Sequence, residues 1–303
     1  MNWFFVALIA PLLWAISNHL DKYIISKYFR SGGIGSVVIF GCIFGFLSLP
    51  IIFLFNPNVF SIDKLNGITL IVIGIVSTLG LISYYAALNE DEPSNVVPLY
   101  QLIPITTYII SFMILGETLN LRQILSGLLI ISGALLLSLD LTNKLPRIKL
   151  KILLLMIFSC IIVSIEIATF KYIALQESFW ASVFWGYVGS AVTGLLLFSG
   201  IKKYRVEIIR VIKSNSISVL SLNAFNEIIN LIAYLIFMYA ALRLNTTLVT
   251  LTNGFQPFFV FTFGVFLTLF FPRFGQESLL RKHLVQRVIS ILVIFIGTYF
   301  LNT

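Results

Sequence analysis

Charged residues are scarce in this sequence of 303 residues. They make up 11% of the chain, whereas a soluble domain carries about 25%. Hydrophobic residues make up 59%, so there is too little polar surface to coat a water-soluble globule. The composition therefore excludes an ordinary soluble enzyme or binding domain and predicts a membrane protein.

Cysteine and histidine are scarce as well, with two of each. Cys42 and Cys160 both lie in apolar runs without metal-ligand spacing, so packing is their expected role. With only His19 and His283, the chain has no His-Glu-x-x-His zinc motif, and it has neither a Gly-x-Ser-x-Gly elbow nor a P-loop. The sequence predicts no cofactor, no metal site, no ATP-driven step and no catalytic activity; a membrane-embedded enzyme is the alternative from another class.

Long apolar runs are abundant. A membrane-spanning helix needs about 20 mostly apolar residues, and only helices or closed barrels satisfy the backbone in lipid. The runs are continuous rather than alternating, which predicts helices. The first run, from Trp3, lacks the basic segment and cleavage site of a signal peptide. The ten predicted spans are 3–20, 34–55, 68–88, 96–115, 123–140, 151–173, 179–200, 217–240, 246–271 and 284–301.

Short motifs recur in the same order in the two halves. Tyr-Ala-Ala-Leu at 85–88 returns at 239–242, and Pro104 in the fourth span has a counterpart in Pro257 of the ninth. Matched glycines, Gly133 and Gly297, follow in the fifth and tenth spans. We therefore predict two repeats of five spans.

Because five is odd, the second repeat must enter the membrane with inverted topology. The predicted fold is an all-α membrane protein whose ten transmembrane helices form two inverted five-helix repeats, residues 1–143 and 144–303, within one integral membrane unit. Inverted repeats with a substrate site at their interface are a transporter architecture.

The basic residues are distributed unequally between the two sets of connecting segments. Of the 20 Lys and Arg residues, 16 follow odd-numbered spans; the other four are Lys64, Arg122, Lys171 and Arg243. Cytoplasmic segments carry the excess of Lys and Arg, so both termini are predicted outside the cytoplasm in a multi-pass protein of the cell inner membrane. The net charge of +8 is explained in this way without nucleic-acid binding.

The first half carries a recognisable order of motifs. Tyr-Ala-Ala-Leu ends the third span at 85–88, Pro104 interrupts the fourth, Leu-Gly-Glu closes the fourth at 115–117, and Gly133 follows in the fifth. This order resembles the drug/metabolite transporter superfamily, in its EamA-type ten-helix class. The resemblance implies a secondary transporter that moves amino acids, small metabolites, quaternary amines or drugs, mostly outward. It also implies a central cavity formed largely by helices 1, 3, 4, 6, 8 and 9. The second half departs from the pattern, because a longer segment with Glu277 replaces the Gly-Glu pair.

The eighth span carries a stripe of polar residues. Asn223, Asn226, Glu227, Asn230 and Tyr234 fall at offsets 0, 3, 4, 7 and 11, which places them within about 60° of one line along a helix. The favoured interpretation is a cavity lining, with the asparagines bonding the solute. The alternative is a polar seam between helices.

Two other spans contain ionisable groups. A charge at the bilayer centre costs at least about 2.5 kcal/mol, so Glu166 in the sixth span is predicted, with Glu227, to serve proton coupling or recognition of a charged solute. A structural ion pair, for example with Lys171, is the alternative for Glu166. In the first span, Asn18 and His19 are candidate substrate groups, although His19 is equally interpretable as a hydrogen-bonded interface residue. Asp21 and Lys22 are expected at a solvated helix end.

Weaker substrate-binding candidates lie in the third, fourth and ninth spans. They are Tyr84, Tyr100, Gln101, Asn253 and Gln256. Prolines at corresponding positions of the fourth and ninth spans are expected to break these helices near the site. Trp180, Trp185 and Tyr187 are interpreted as an interfacial aromatic belt.

These observations predict a secondary active transporter. We expect an exporter of small polar or amine-bearing metabolites such as amino acids, working by alternating access with proton coupling. A multidrug or quaternary-amine carrier, or a lipid-linked-precursor carrier, is the alternative within the same fold. Nothing resembles the selectivity-filter loop of a channel. The expected partners are a small-molecule substrate and the lipid bilayer, with no nucleic acid, and the chain is expected to be a monomer or homodimer.

Overall fold

The computed structural model describes residues 3–28, 34–90, 96–138, 149–214, 217–270 and 281–302. All of its regular elements there are helical. The α-helices are α1 Trp3–Ala7, α2 Ile9–Tyr28, α3 Ile34–Phe55, α4 Lys64–Glu90, α5 Ile103–Leu115, α6 Leu121–Ser138, α7 Leu150–Ala174, α8 Phe179–Gly200, α9 Lys202–Ser214, α10 Ile217–Arg243, α11 Thr246–Leu251, α12 Gln256–Phe270 and α13 Arg281–Asn302. Short 3-10 helices cover Pro57–Phe60, Val97–Leu102 and Thr252–Phe255.

The ten predicted spans are confirmed. Within the described ranges, nine helical segments are long and apolar enough to cross a membrane, and Val285–Leu301 is a shorter apolar helix. The predicted burial of Cys42 and Cys160 is also confirmed. The fold is therefore that of a ten-helix membrane protein.

The fourth and ninth spans are broken at corresponding prolines. In each span a 3-10 segment ends directly before an α-helix, α5 or α12, whose second residue is the proline, Pro104 or Pro257. Proline lacks a backbone N–H and is tolerated in the first turn of a helix, so each proline starts a new α-helix. This agrees with the breaks expected from the sequence.

The first predicted span, 3–20, has the same bounds as the apolar segment Trp3–Leu20. Asp21 and Lys22 were expected at a helix end, and that expectation was wrong, because α2 continues to Tyr28.

The segment between the seventh and eighth predicted spans was expected to be a connection without a helix. Most of it forms α9, a basic amphipathic helix that buries Ile208 and exposes Lys202 and Lys213. An amphipathic helix of this kind is typical of a membrane interface, where its apolar side faces inward. The many charged residues of this segment obscured the helical periodicity of its apolar residues.

The packing pairs correspond between the two halves. The third span, α4, packs on the sixth, α7, and likewise the eighth, α10, packs on the first, α2. The fifth and tenth spans, α6 and α13, pack on each other through the matched glycines, since a Cβ on Gly133 would lie 2.9 Å from the Ser290 carbonyl and one on Gly297 would lie 3.0 Å from that of Ser126. This pattern is expected of two repeats, although the boundary at 143/144 lies outside the described residues.

The bundle has two faces that differ in charge. Helix α9 and the C-terminal ends of α2, α4 and α6 lie on one face, which we call the basic face. The connections at 56–63, 116–120, 175–178 and 244–245 lie on the opposite face. There the halves are joined directly: the Trp185 indole N–H donates to the Val59 carbonyl at 2.8 Å, and the Asn66 amide donates to Glu177 at 2.9 Å.

Candidate functional site

Glu166 lies inside the bundle on α7, sixteen residues after the start of that helix at Leu150. The Tyr234 hydroxyl, on α10, donates to Glu166 Oε1 at 3.1 Å. The Ser77 hydroxyl of α4 also lies close to this carboxylate. Among the described residues, this hydroxyl does not meet the geometric criteria for a hydrogen bond with any neighbour. In the part of the chain that the structure describes, Glu166 has no ion pair. Its suggested partner Lys171 bonds to Glu117 instead, so the suggested pairing of Glu166 with Lys171 was wrong.

Tyr187 lies between the two intramembrane glutamates. Its ring packs edge-on against Tyr234 with 5.7 Å between centroids, and it contacts the surface left open by Gly45 on α3. Both Glu166 and Glu227 are within electrostatic range of its hydroxyl. The interpretation of Tyr187 as part of an interfacial belt was therefore wrong. It is the ninth residue of α8, about 12 Å from the helix end at 1.5 Å per residue, and that depth is the sequence signal that could have revealed it.

Glu227 lies beside α3. Its Oε1 would be 3.9 Å from a Cβ placed on Gly41, and the carboxylate is also within electrostatic range of Cys42. Helices of the second and seventh spans thus contribute to the site, in addition to the helices that the family resemblance implied. Ser77, Tyr187 and Gly41 were not predicted as site residues. Each is an ordinary residue of its own helix, and only its neighbours on other helices place it in the site.

The polar stripe of α10 runs through this site. Asn226 is buried, and Asn223, Glu227, Asn230 and Tyr234 are half-buried. Between Leu222 and Leu242 the exposed side chains of the same helix are Phe225, Ile228 and Ile232, which are all apolar. The stripe therefore points toward the other helices rather than toward lipid.

Other predicted residues have contacts of their own. His19 bonds through Nε2 to the Val260 carbonyl at 3.0 Å, which ties α2 to α12, while Asn18 is exposed. The rings of Tyr84 and Tyr100 contact each other at a tilt of 38°, with 4.7 Å between their centroids. They lie toward the basic-face ends of α4 and of the 3-10 segment.

The remaining predicted residues lie at the breaks of the fourth and ninth spans. Gln101 is buried next to Tyr100. Gln256 begins α12, and Asn253 lies in the preceding 3-10 segment with its Oδ1 buried and not hydrogen-bonded within the described residues. Glu277 lies in 271–280, outside the described residues.

A buried ion pair joins the two halves at the opposite face. Lys171 Nζ donates to Glu117 Oε1 and to the Leu244 carbonyl, each at 2.6 Å. Glu117 Oε2 in turn accepts from the Thr246 backbone N–H at 2.8 Å and from its hydroxyl at 2.7 Å. We call Glu117, Lys171, Leu244 and Thr246 the inter-half lock. Glu117 belongs to the Leu-Gly-Glu motif, so the structure gives that motif a role in joining the two halves at this face.

Comparison with known proteins agrees with these features. Residues 1–139 match the EamA-like transporter family. An uncharacterized protein of Methanocaldococcus jannaschii is 34% identical over 98 residues, which are 32% of this chain and 72% of that protein. A solved structure described only as a crystal structure of a protein superposes with a TM-score of 0.69 at 14% identity, covering 99% of this chain and 96% of that one, which shows a shared fold. A transporter family also fits the expectation that the chain is not an enzyme. The chain belongs to the EamA-like transporter family, within the drug/metabolite transporter superfamily, and is a multi-pass membrane transporter.

Proposed function

We propose that this transporter exports small amine-bearing metabolites, amino acids among them, in exchange for protons by alternating access. The observation that carries the proposal is Glu166, a carboxylate inside the bundle that is hydrogen-bonded to Tyr234 and lacks a basic partner among the described residues. Lys171 is a buried basic residue of the described spans that could have neutralised Glu166, but it forms an ion pair with Glu117 instead.

An unpaired carboxylate in a low-dielectric site has two ways to lower its free energy. It can take up a proton, or it can bind a cation that brings its own charge. The ammonium group of a solute and a proton therefore compete for the same carboxylate. Such competition is required for exchange of solute against protons. Each ligand shifts the equilibrium between the inward- and outward-open states only by binding one of them more tightly. The rings of Tyr187 and Tyr234 add faces that attract a cation.

The distribution of basic residues supports outward transport of the solute and a location in the cell inner membrane. The 16 basic residues that follow odd-numbered spans favour a cytoplasmic basic face, with both termini outside the cytoplasm of a cell inner membrane. A solute entering from the basic face and leaving at the opposite face would be exported.

The proposal can be tested with purified protein in proteoliposomes. Counterflow of labelled amines, zwitterionic amino acids, neutral sugars and organic anions is measured with and without an imposed pH gradient. We expect saturable counterflow of one amine-bearing class, accelerated by the gradient. Glu166→Gln should abolish the effect of the gradient, because the variant can no longer exchange a proton. Glu90→Gln is the matched control: it makes the same chemical change at an exposed carboxylate at the end of α4.

Two results would contradict the proposal. One is a preference for neutral or anionic solutes that persists in Glu166→Gln. The other is a gradient effect that Glu90→Gln removes as completely as Glu166→Gln does.

A further inference from the structure

Helix α9 lies at the surface of the basic face. It connects two membrane-spanning helices, since α8 ends at Gly200 and α10 begins at Ile217. It also packs against α8 and α3, and the Arg205 guanidinium donates to the Ser199 carbonyl at 3.3 Å, which ties α9 to the end of α8. A helix that connects two spans and rests on the end of one of them lies at the level of the lipid headgroups.

The side chains of α9 divide into two faces. Ile208 is 1% exposed and marks the face that packs on the bundle. At about 100° per residue, five exposed residues lie within about 60° of the direction opposite Ile208. We call these five residues the cationic face of α9; they are Lys202, Lys203, Val206, Arg210 and Lys213.

Helix α9 carries an excess of positive charge. It has five basic residues and one acidic residue, Glu207. Among the residues whose side chains the structure describes, the ion pairs are Lys151–Glu90 and Lys171–Glu117, so the three lysines of the cationic face take part in none of them. Like charges on one face of a helix repel one another, and an anionic surface beside the helix would remove that repulsion.

Apolar side chains are exposed beside these charges. Val206 is 45% exposed and Ile209 is 40% exposed, and Val206 adjoins Lys203, which lies three residues before it. Toward the end of α8, Leu195 and Leu196 are exposed as well. A soluble polyanion would leave these apolar groups in water, whereas the headgroup region of a bilayer accommodates both the charges and the apolar groups.

We infer that the cationic face of α9 binds anionic phospholipids. Its lysines bind the headgroup phosphates, and Val206 and Ile209 pack against the adjoining ends of the acyl chains. Lysine carries its charge on a long, flexible stem, so it can reach a phosphate from a helix that is packed on protein. Because α9 rests on α8 and α3, bound lipid fixes the connection between the seventh and eighth spans at the membrane surface. Lipid binding by α9 depends neither on the transported solute nor on the side of the membrane that the basic face occupies.

Native mass spectrometry of the detergent-purified protein tests this inference. The dissociation constants of phosphatidylglycerol and phosphatidylcholine with identical acyl chains are compared for the first lipid bound. We expect phosphatidylglycerol to bind more tightly. In Lys202→Gln/Lys203→Gln/Lys213→Gln this preference should fall at least about fivefold, because a single basic residue near an anionic membrane surface contributes roughly that factor.

The matched control is Lys149→Gln/Lys151→Gln. It makes the same chemical change at exposed lysines of the basic face, but these two lysines bond to Glu90. The control should therefore keep the preference for phosphatidylglycerol.

A fluorescence measurement locates the bound lipid. In a Cys42→Ser/Cys160→Ala background, a bimane fluorophore is attached to Val206→Cys, and the protein is reconstituted into phosphatidylcholine vesicles. Brominated phosphatidylglycerol should quench the fluorophore more strongly than an equal amount of brominated phosphatidylcholine does, because the anionic lipid is enriched beside α9.

The inference is overturned if phosphatidylglycerol is not preferred, if the triple variant keeps the preference, or if the control loses as much of it. Equal quenching by the two brominated lipids would also overturn it. A further contrary result is displacement of phosphatidylglycerol by an equal concentration of glycerol phosphate, which would make the cationic face a site for soluble anions. If the triple variant does not fold, the quenching at Val206→Cys decides.

Discussion

Breaking the Lys171–Glu117 pair should destabilise the folded protein strongly. The side chains of Lys171 and Glu117 are only 10% and 14% exposed, so water screens them little. In Lys171→Met, Glu117 keeps its two bonds from Thr246 but loses the ammonium, and the Leu244 carbonyl loses its donor. The variant therefore leaves a buried carboxylate without its counter-charge.

The size of the effect follows from that geometry. Removing one partner of a buried pair costs about 3–5 kcal/mol, and the slight exposure of both groups favours the lower end, about 3 kcal/mol. At about 2–4 °C per kcal/mol, the unfolding midpoint should fall by roughly 6–12 °C. Because both single variants lose the same interaction, the double variant with Glu117→Gln should lose less than the sum of the two, by at least about 1 kcal/mol.

Thermal unfolding of the detergent-purified protein, followed by tryptophan fluorescence, measures these midpoints. The matched control is Lys151→Met, which breaks a 2.7 Å pair with Glu90 whose side chains are 66% and 41% exposed. Lys151 lowers the pKa of Glu90 by a hydrogen bond, yet solvent screens this pair, so the midpoint should not shift resolvably. The reasoning is refuted if Lys171→Met shifts the midpoint no more than Lys151→Met does, or if the two lock variants are additive.

Two further predictions concern glycines and use the same unfolding assay. Gly116 ends α5 with φ 65°, so Gly116→Ala should cost about 1 kcal/mol, while Gly116→Asn, which tolerates that conformation better, should cost less; equal midpoints for the two variants would contradict this. Gly189→Ala should destabilise strongly, because its Cβ would lie 2.1 Å from the Ile71 carbonyl oxygen of α4, whereas Gly186→Ala, whose Cβ meets nothing within 4 Å, should be tolerated. A reversed order would count against direct backbone contact between α4 and α8.

The sequence was sufficient for features that depend on one helix at a time. The length of each apolar run identified the spans, and the prolines located the breaks in the fourth and ninth spans because proline acts on its own backbone. The stripe on α10 follows from helical periodicity alone, and its inward direction is seen in the exposure of its residues. These features are properties of local chain geometry, which a sequence encodes directly.

Partnerships between helices could not be predicted in this way. Lys171 is five residues from Glu166 and 54 from Glu117, yet it pairs with Glu117, because positions five apart on a helix point in different directions. Tyr187 is a tyrosine, a residue type that is common in interfacial aromatic belts, but its position in α8 places it in the interior of the bundle. The role of Gly41 depends on a carboxylate from another half of the chain, which no single-helix pattern reveals.

The inter-half lock depends on a difference between the two halves. The first half provides Gly116 and Glu117, whereas the second half has no Gly-Glu pair at the corresponding position. Glu117 bonds Lys171 and Thr246, which both belong to the second half. A residue that only the first half carries at this position therefore joins the two halves, and Lys171→Met should loosen their contact at the opposite face.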